Sequence, residues 1–115
     1  MASKAEVVKR TLQLLGVLHM GQSASSENTA RINLAYTEVY NDLKKESLAV
    51  WAISGPIPDE IDPHLVYLMA FNAVDEFGVS NARYQRIVAR IPSSKREIRK
   101  LTIPDYESLE EPEEF

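Results

Sequence analysis

The chain has 115 residues, of which 44% are hydrophobic, with 17 acids, 13 bases and no cysteine. That length holds one domain and buries enough surface to fold without disulfides or a structural metal. Without thiols, a disulfide framework, thiolate zinc sites and cysteine nucleophiles are all excluded.

The charge is unevenly placed. Residues 83–100 carry Arg83, Arg86, Arg90, Lys95, Arg96, Arg99 and Lys100 against the single acid Glu97. Residues 105–115 carry Asp105, Glu107, Glu110, Glu111, Glu113 and Glu114 and no base. Setting those six tail acids aside leaves 11 acids against 13 bases, so the body is +2 although the whole chain is −4. A basic helix followed by an acidic tail is the main electrostatic feature. The longest apolar run, Leu65 to Val74, is ten residues, against the about twenty that cross a bilayer. Near the N-terminus Lys4, Lys9 and Arg10 interrupt the apolar residues and no small-residue cleavage site follows, so no secretory signal is expected. The expectation is a soluble protein made inside the cell, with no membrane contact.

Ser3 with Glu6 three residues on predicts a capping box and the start of a first helix. Its apolar stripe is Val8, Leu12 and Leu15, flanked by Val7, Leu14 and Leu18. Gly16 is the expected stop, with a run to His19 as the alternative. Residues 19–26 read as a serine-rich loop ending in an N-cap. A second helix follows from about Glu27 to Glu46, with Ile32, Ala35, Tyr36, Val39, Tyr40 and Leu43 on one face. Residues 49–53 are apolar without helical spacing and predict a short extended segment, with one edge strand as an option. Three prolines in residues 54–63 predict a stiff exposed loop. Asp62 as N-cap and Pro63 at the first position open a third helix. It is apolar nearly all round, which predicts the central element, ended by Gly78. Asn72 within it is expected to hydrogen-bond a neighbouring helix.

Ser80 or Asn81 caps a fourth helix, with Tyr84, Ile87, Val88 and Ile91 on its apolar stripe and Arg83, Arg86 and Arg90 together beside it. Pro92 is expected to interrupt that helix, and Ser94 with Glu97 to restart it as far as about Leu101. Pro104 begins the tail. The fold expected is all-α, a four- to five-helix bundle over residues 1–103, with a short extended segment near 49–53 and an extended acidic tail at 104–115.

Chemistry of an enzymatic kind finds little support. The four glycines, at 16, 21, 55 and 78, form no phosphate loop, and no serine sits in a nucleophile elbow. Asp59, Glu60, Asp62 and His64 could hold a divalent ion, but acids at a helix N-terminus explain the cluster more simply. No catalytic, metal or cofactor site is predicted, and no cofactor. The seven cations of 83–100 could instead bind nucleic acid without sequence preference, form a solvated flank, or pair with acids of a neighbouring subunit. The tail, six acids and two prolines in 104–115, reads either as a solvated end without fixed structure or, because Tyr106, Leu109 and Phe115 are spaced among the acids, as a docking peptide with those anchors. Trp51 suits either a core or an interface.

Several short motifs occur in a recognisable order. They are Leu-Leu-Gly-Val at Leu14 to Val17, a serine-rich cap with a long helix, and the turn from Ser47 to Ile53. Ile-Pro-Asp-Glu at 57–60, Leu-Val-Tyr-Leu-Met-Ala at 65–70 and Glu76-Phe77-Gly78-Val79 follow. Over residues 5–101 the chain resembles the small head-to-tail adaptor (connector, head-completion) proteins of tailed bacteriophages. The resemblance implies a helical structural protein of the virion neck, assembled in the host cytoplasm as a ring, typically of twelve copies. Such a ring joins the portal protein of the head to the tail or the next neck protein, and packaged DNA passes through it. It further implies that Arg83, Arg86, Arg90, Lys95, Arg96, Arg99 and Lys100, with Tyr106, Leu109 and Phe115, meet the portal or another subunit. Trp51, Ile53, Pro56, Ile57 and Pro58 would be inter-subunit or tail-facing, and Tyr36 and Tyr40 could join Trp51 there. Pro92 and the short tail depart from the family pattern, whose last helix is commonly longer. The competing expectation is a small helical DNA-binding or regulatory module using 83–100.

Overall fold

Helix starts follow the side-chain chemistry. The computed structural model describes residues 2–19 and 21–102. Ser3 and Glu6 form the reciprocal capping box of α1, Lys4–Leu14, with bonds of 3.0 and 3.2 Å. Ser25 accepts from the Asn28 amide at 3.1 Å and caps α2, Ser26–Lys45. Ser80 accepts from the Arg83 amide at 3.3 Å at the start of α4, Asn81–Thr102. The remaining helix, α3, Asp62–Ala73, continues into a 3-10 turn at Val74–Glu76 before Gly78.

Helix ends are equally local. Gly16 stands at φ 80° while the Val17 amide bonds Leu12 and the Gly16 amide bonds Gln13. This paired arrangement closes a helix through one left-handed residue. Ser47 closes α2 the same way at φ 63°, with Leu48 bonding Leu43 and Ser47 bonding Lys44. A serine tolerates that region less readily than glycine does.

The expected fold class is observed: the described residues are all-α. Helix α3 packs against α1, α2 and α4, and Leu65, Met69, Ala70 and Ala73 are fully buried within it. The apolar stripe of α2 faces it with Ile32, Ala35 and Tyr36, and α4 contributes Ile87 and Ile98. The tail from Pro104 lies outside the described residues.

Three local expectations are corrected. First, 49–53 forms no strand. The Tyr40 hydroxyl donates to the Trp51 carbonyl (2.6 Å) and the Tyr36 hydroxyl to that of Ile53 (2.9 Å), while the Trp51 indole N–H donates to Tyr36 (3.0 Å). Side chains of α2 thus replace a strand ladder. The one β-bridge among the described residues joins Ala2 to Ile57 instead. Second, Asp62 is not an N-cap. Its carboxylate is buried and receives two bonds from Arg10 of α1, at 3.2 and 2.9 Å.

Third, α4 runs through Pro92 without interruption, and no capping box forms at Ser94. Glu97 pairs with Lys100 at 3.8 Å, and the Ser94 hydroxyl is buried with no partner among the described residues. A proline inside a helix costs about 3 kcal/mol. Burying a side chain the size of Ile98 contributes about 1.5–3 kcal/mol, which offsets most of that. Pro92 itself is exposed.

Tyr36→Phe removes the hydroxyl that accepts from Trp51 and donates to Ile53. It leaves a buried indole N–H unpaired, so stability should fall by about 1–3 kcal/mol in urea denaturation, with altered near-ultraviolet dichroism from Trp51. A pH effect follows from two carboxylates. Hydrogen bonds from Ser3 hold Glu6, and a bond from Arg31 holds Glu76, below the ordinary value of 4.5. Groups with depressed folded pKa values stabilise the fold above the unfolded value and lose that contribution as the pH falls through the folded one. The melting temperature should therefore be flat above pH 5.5 and decline below 4.5, less so in Glu76→Gln.

Candidate interaction surfaces

The seven cations of α4 do not form one surface. Arg83 is half-buried, and its Nη1 donates to the Leu14 carbonyl at 2.9 Å, at the carbonyl end of α1. A guanidinium there satisfies an orphan acceptor and the negative end of the helix dipole. A methyl group added at Gly16 would lie 3.0 Å from Arg83 Cζ, so this glycine serves both the left-handed turn and the close approach. Arg90 stacks 4.9 Å above the Tyr67 ring on α3. Arg99 reaches Glu46 of α2 at 3.4 Å, and Lys100 pairs with Glu97.

Arg86, Lys95 and Arg96 are exposed and have no hydrogen bond or ion pair among the described residues. Arg86 and Arg96 project roughly 80° apart on the solvent side of α4, and Lys95 about half a turn from Arg86. The outward cationic face is therefore narrower than expected and centres on Arg86 and Arg96.

Lys95 instead borders a groove of about 390 Å³ between α2, α3 and α4. Leu43, Leu68, Tyr84 and Ile91 line it with Phe71, which stays 43% exposed, and Asp42 and Asp75 stand at its edge. Asn72 also lines it, and its buried carboxamide oxygen has no partner among the described residues, contrary to the expected interhelical bond. A second cavity of about 620 Å³ lies between α1 and the N-terminal half of α2, bordered by Lys4, Lys9, Gln22, Ser23, Thr29 and Asn33.

Of the loop residues expected to face a partner, Ile53 and Pro56 are exposed and Pro58 is half-buried. Trp51 and Ile57 belong to the core, at 7% and 0% exposure, as do Tyr36 and Tyr40. Hydrogen bonds explain this correction: the Ile57 amide and carbonyl pair with Ala2 at 2.8 and 3.0 Å, drawing the proline loop inward. Val50, at 64% exposure, is the more open apolar residue of the segment. Tyr106, Leu109 and Phe115 lie outside the described residues.

No group of three or more His, Asp or Glu among the described residues could hold a metal ion. None of their helices is long and apolar enough to cross a membrane. Compared with family models, curated proteins and solved structures, the chain finds no match.

The division of α4 can be checked by denaturation. Arg86→Glu with Arg96→Glu removes no partner and should change stability by less than about 0.5 kcal/mol each. Arg83→Ala unpairs the Leu14 carbonyl and should cost about 1–2 kcal/mol. Equal losses for both would contradict the assignment.

Proposed function

We propose that the chain is a structural adaptor of a phage neck, which joins the portal to the tail and extends the DNA channel as a ring of copies. The observation that carries this reading is the exposed face of α4, where Arg86 and Arg96 stand without partners while Arg83, Arg90 and Arg99 are engaged within the chain. Such a face suits docking against an acidic protein surface, where opposed charges supply orientation more than net affinity.

Two further features support it. Residues that carry the resemblance build the packing around α3: Leu15, Leu48, Trp51, Ile57, Leu65 and Met69 are all buried. The last helix is also long, since it continues through Pro92 to Thr102. That removes one of the two departures from the family pattern. In the proposed ring the Arg86–Arg96 face turns toward the portal and away from the lumen. A cationic lumen would hold the phosphates of a genome that has to pass through.

The purified chain, mixed with a phage portal protein from the same source, should give a ring-shaped complex by native mass spectrometry and electron microscopy. Arg86→Glu with Arg96→Glu should weaken that complex at least tenfold. Absence of any portal complex, together with salt-dependent DNA binding lost in the same variant, would replace the reading with a DNA-binding module.

A further inference from the structure

The groove over α3, between α2 and α4, has an apolar lining and an uneven edge. Leu43, Leu68 and Ile91 line it, with the half-open Phe71 beside them. Arg31, near the start of α2, contacts Glu76 beyond the end of α3, so the end of α2 lies toward the start of α3. There Glu46 meets Arg99 of α4 at 3.4 Å. Asp42 and Lys95, each one turn before those residues, line the same end of the groove. At the other end Asp75 stands one turn beyond Phe71 and Asn72, with no cation among the lining residues there.

Charge and hydrogen bonding define what fits. Three acids and one base edge the groove, and Asp42 and Asp75 are exposed and form no ion pair with any described residue. Asn72 adds an acceptor, its carboxamide oxygen covered and unpaired among the described residues. The terminal torsion of an asparagine is broad and roughly twofold, so a half-turn exchanges the two ends of the carboxamide and offers the oxygen to an N–H donor. A buried acceptor left unpaired costs more than an ordinary bond gains, which favours an occupant that donates. The matching group is an ammonium or guanidinium on an apolar stem. A groove of about 390 Å³ takes a few side chains, and the exposed Phe71 ring offers apolar surface that a free amine would leave uncovered.

We infer that this groove docks a segment of another protein that carries a lysine or arginine among apolar residues. It is the second surface of the adaptor, turned to the component beyond the portal, an assignment that rests on the adaptor reading for the partner's place and on the groove alone for its chemistry. Position supports it. Around α4, Tyr84, Ile91 and Lys95 lie about 140–200° from Arg86 and about 100–140° from Arg96. One copy can therefore meet an acidic surface on one flank of α4 and a cationic segment on the other. The two surfaces have opposite signs, so neither partner competes for the other's place.

Nuclear magnetic resonance on the isotope-labelled full-length chain tests this with three acetylated, amidated peptides. Each reads leucine, phenylalanine, a variable residue and leucine, the variable residue being lysine, norleucine or glutamate. The lysine peptide should bind tightest, by about threefold or more over norleucine. It should shift the backbone amides of Leu68 and Ile91 and the side-chain amide of Asn72, and leave those of Arg86 and Arg96 unmoved. Asp42→Lys with Asp75→Lys, both at exposed positions, should reverse the preference toward the glutamate peptide. Arg86→Glu with Arg96→Glu should leave the preference unchanged. Equal affinity for the three peptides, shifts spread over the acidic residues of the chain, or a lysine preference that survives the acid reversals would each overturn the inference. So would phenylbutylamine binding as tightly as the lysine peptide, which would make the groove a small-amine pocket. A portal complex in the preceding experiment with no peptide selectivity here would discard the groove and keep the adaptor reading.

Discussion

A helix that is apolar nearly all round has to be covered on most sides, and the arrangement of this molecule follows from that requirement in α3, which leaves only the Pro63–Tyr67–Phe71 line toward solvent. Leu65, Val66, Leu68, Met69, Ala70 and Ala73 are buried around most of its circumference. The other three helices therefore surround it, and each packs against it directly. Ala70 and Ala73 are fully buried, as is Met69 beside them. The continuity of α4 belongs to the same constraint. A break at Pro92 would withdraw Ile98 from the cluster and expose the side of α3 that it covers.

Burial gives little direction by itself, and polar contacts between distant segments supply it. Arg10 grips Asp62, joining α1 to the start of α3, and Arg31 grips Glu76, joining α2 to the turn after α3. Arg83 closes the end of α1 from the start of α4. Each of these contacts links a helix terminus to a separate element, so together they determine how the helices are staggered. The Tyr36–Trp51–Tyr40 cluster performs the same service for the connection between α2 and α3. Its aromatic rings lie 5.5 and 6.0 Å apart, and their polar ends take up carbonyls that a chain without a strand partner would leave unpaired.

Local chemistry made much of this legible in advance. The Ser3–Glu6 box, the glycine stop at 16, the amphipathic face of α2 and the central place of α3 each depend on residues within one or two turns of one another. What escaped was long-range. Asp62 beside Pro63 has the local form of a cap, and only the approach of Arg10, 52 positions away, gives its carboxylate a different role. Seven cations in 18 residues look like one surface until Leu14, Tyr67 and Glu46 arrive to engage three of them. Pro92 and Ser94–Glu97 likewise carry an ordinary stop-and-restart pattern, overridden because Ile98 has a place in the core. The proline loop read as exposed for the same reason: Ile57 is drawn inward by Ala2, 55 residues before it in the chain. Cavities escaped altogether, since each is bounded by elements that no short pattern relates.

The distribution of charge after folding bears on assembly more than its total does. Arginines near helix ends are engaged in internal contacts, whereas Lys9 on α1 and Arg86 and Arg96 on α4 face outward without an ion pair among the described residues. The compensating acids are concentrated in 105–115. Cations left without internal partners match an acidic protein surface, whichever chain supplies it. Opposite charge at separate sites gives such contacts a preferred direction, and like charge disfavours the reversed pairing. Apolar anchors then supply the area that surface ion pairs lack, since exposed pairs alone contribute at most about 1 kcal/mol each.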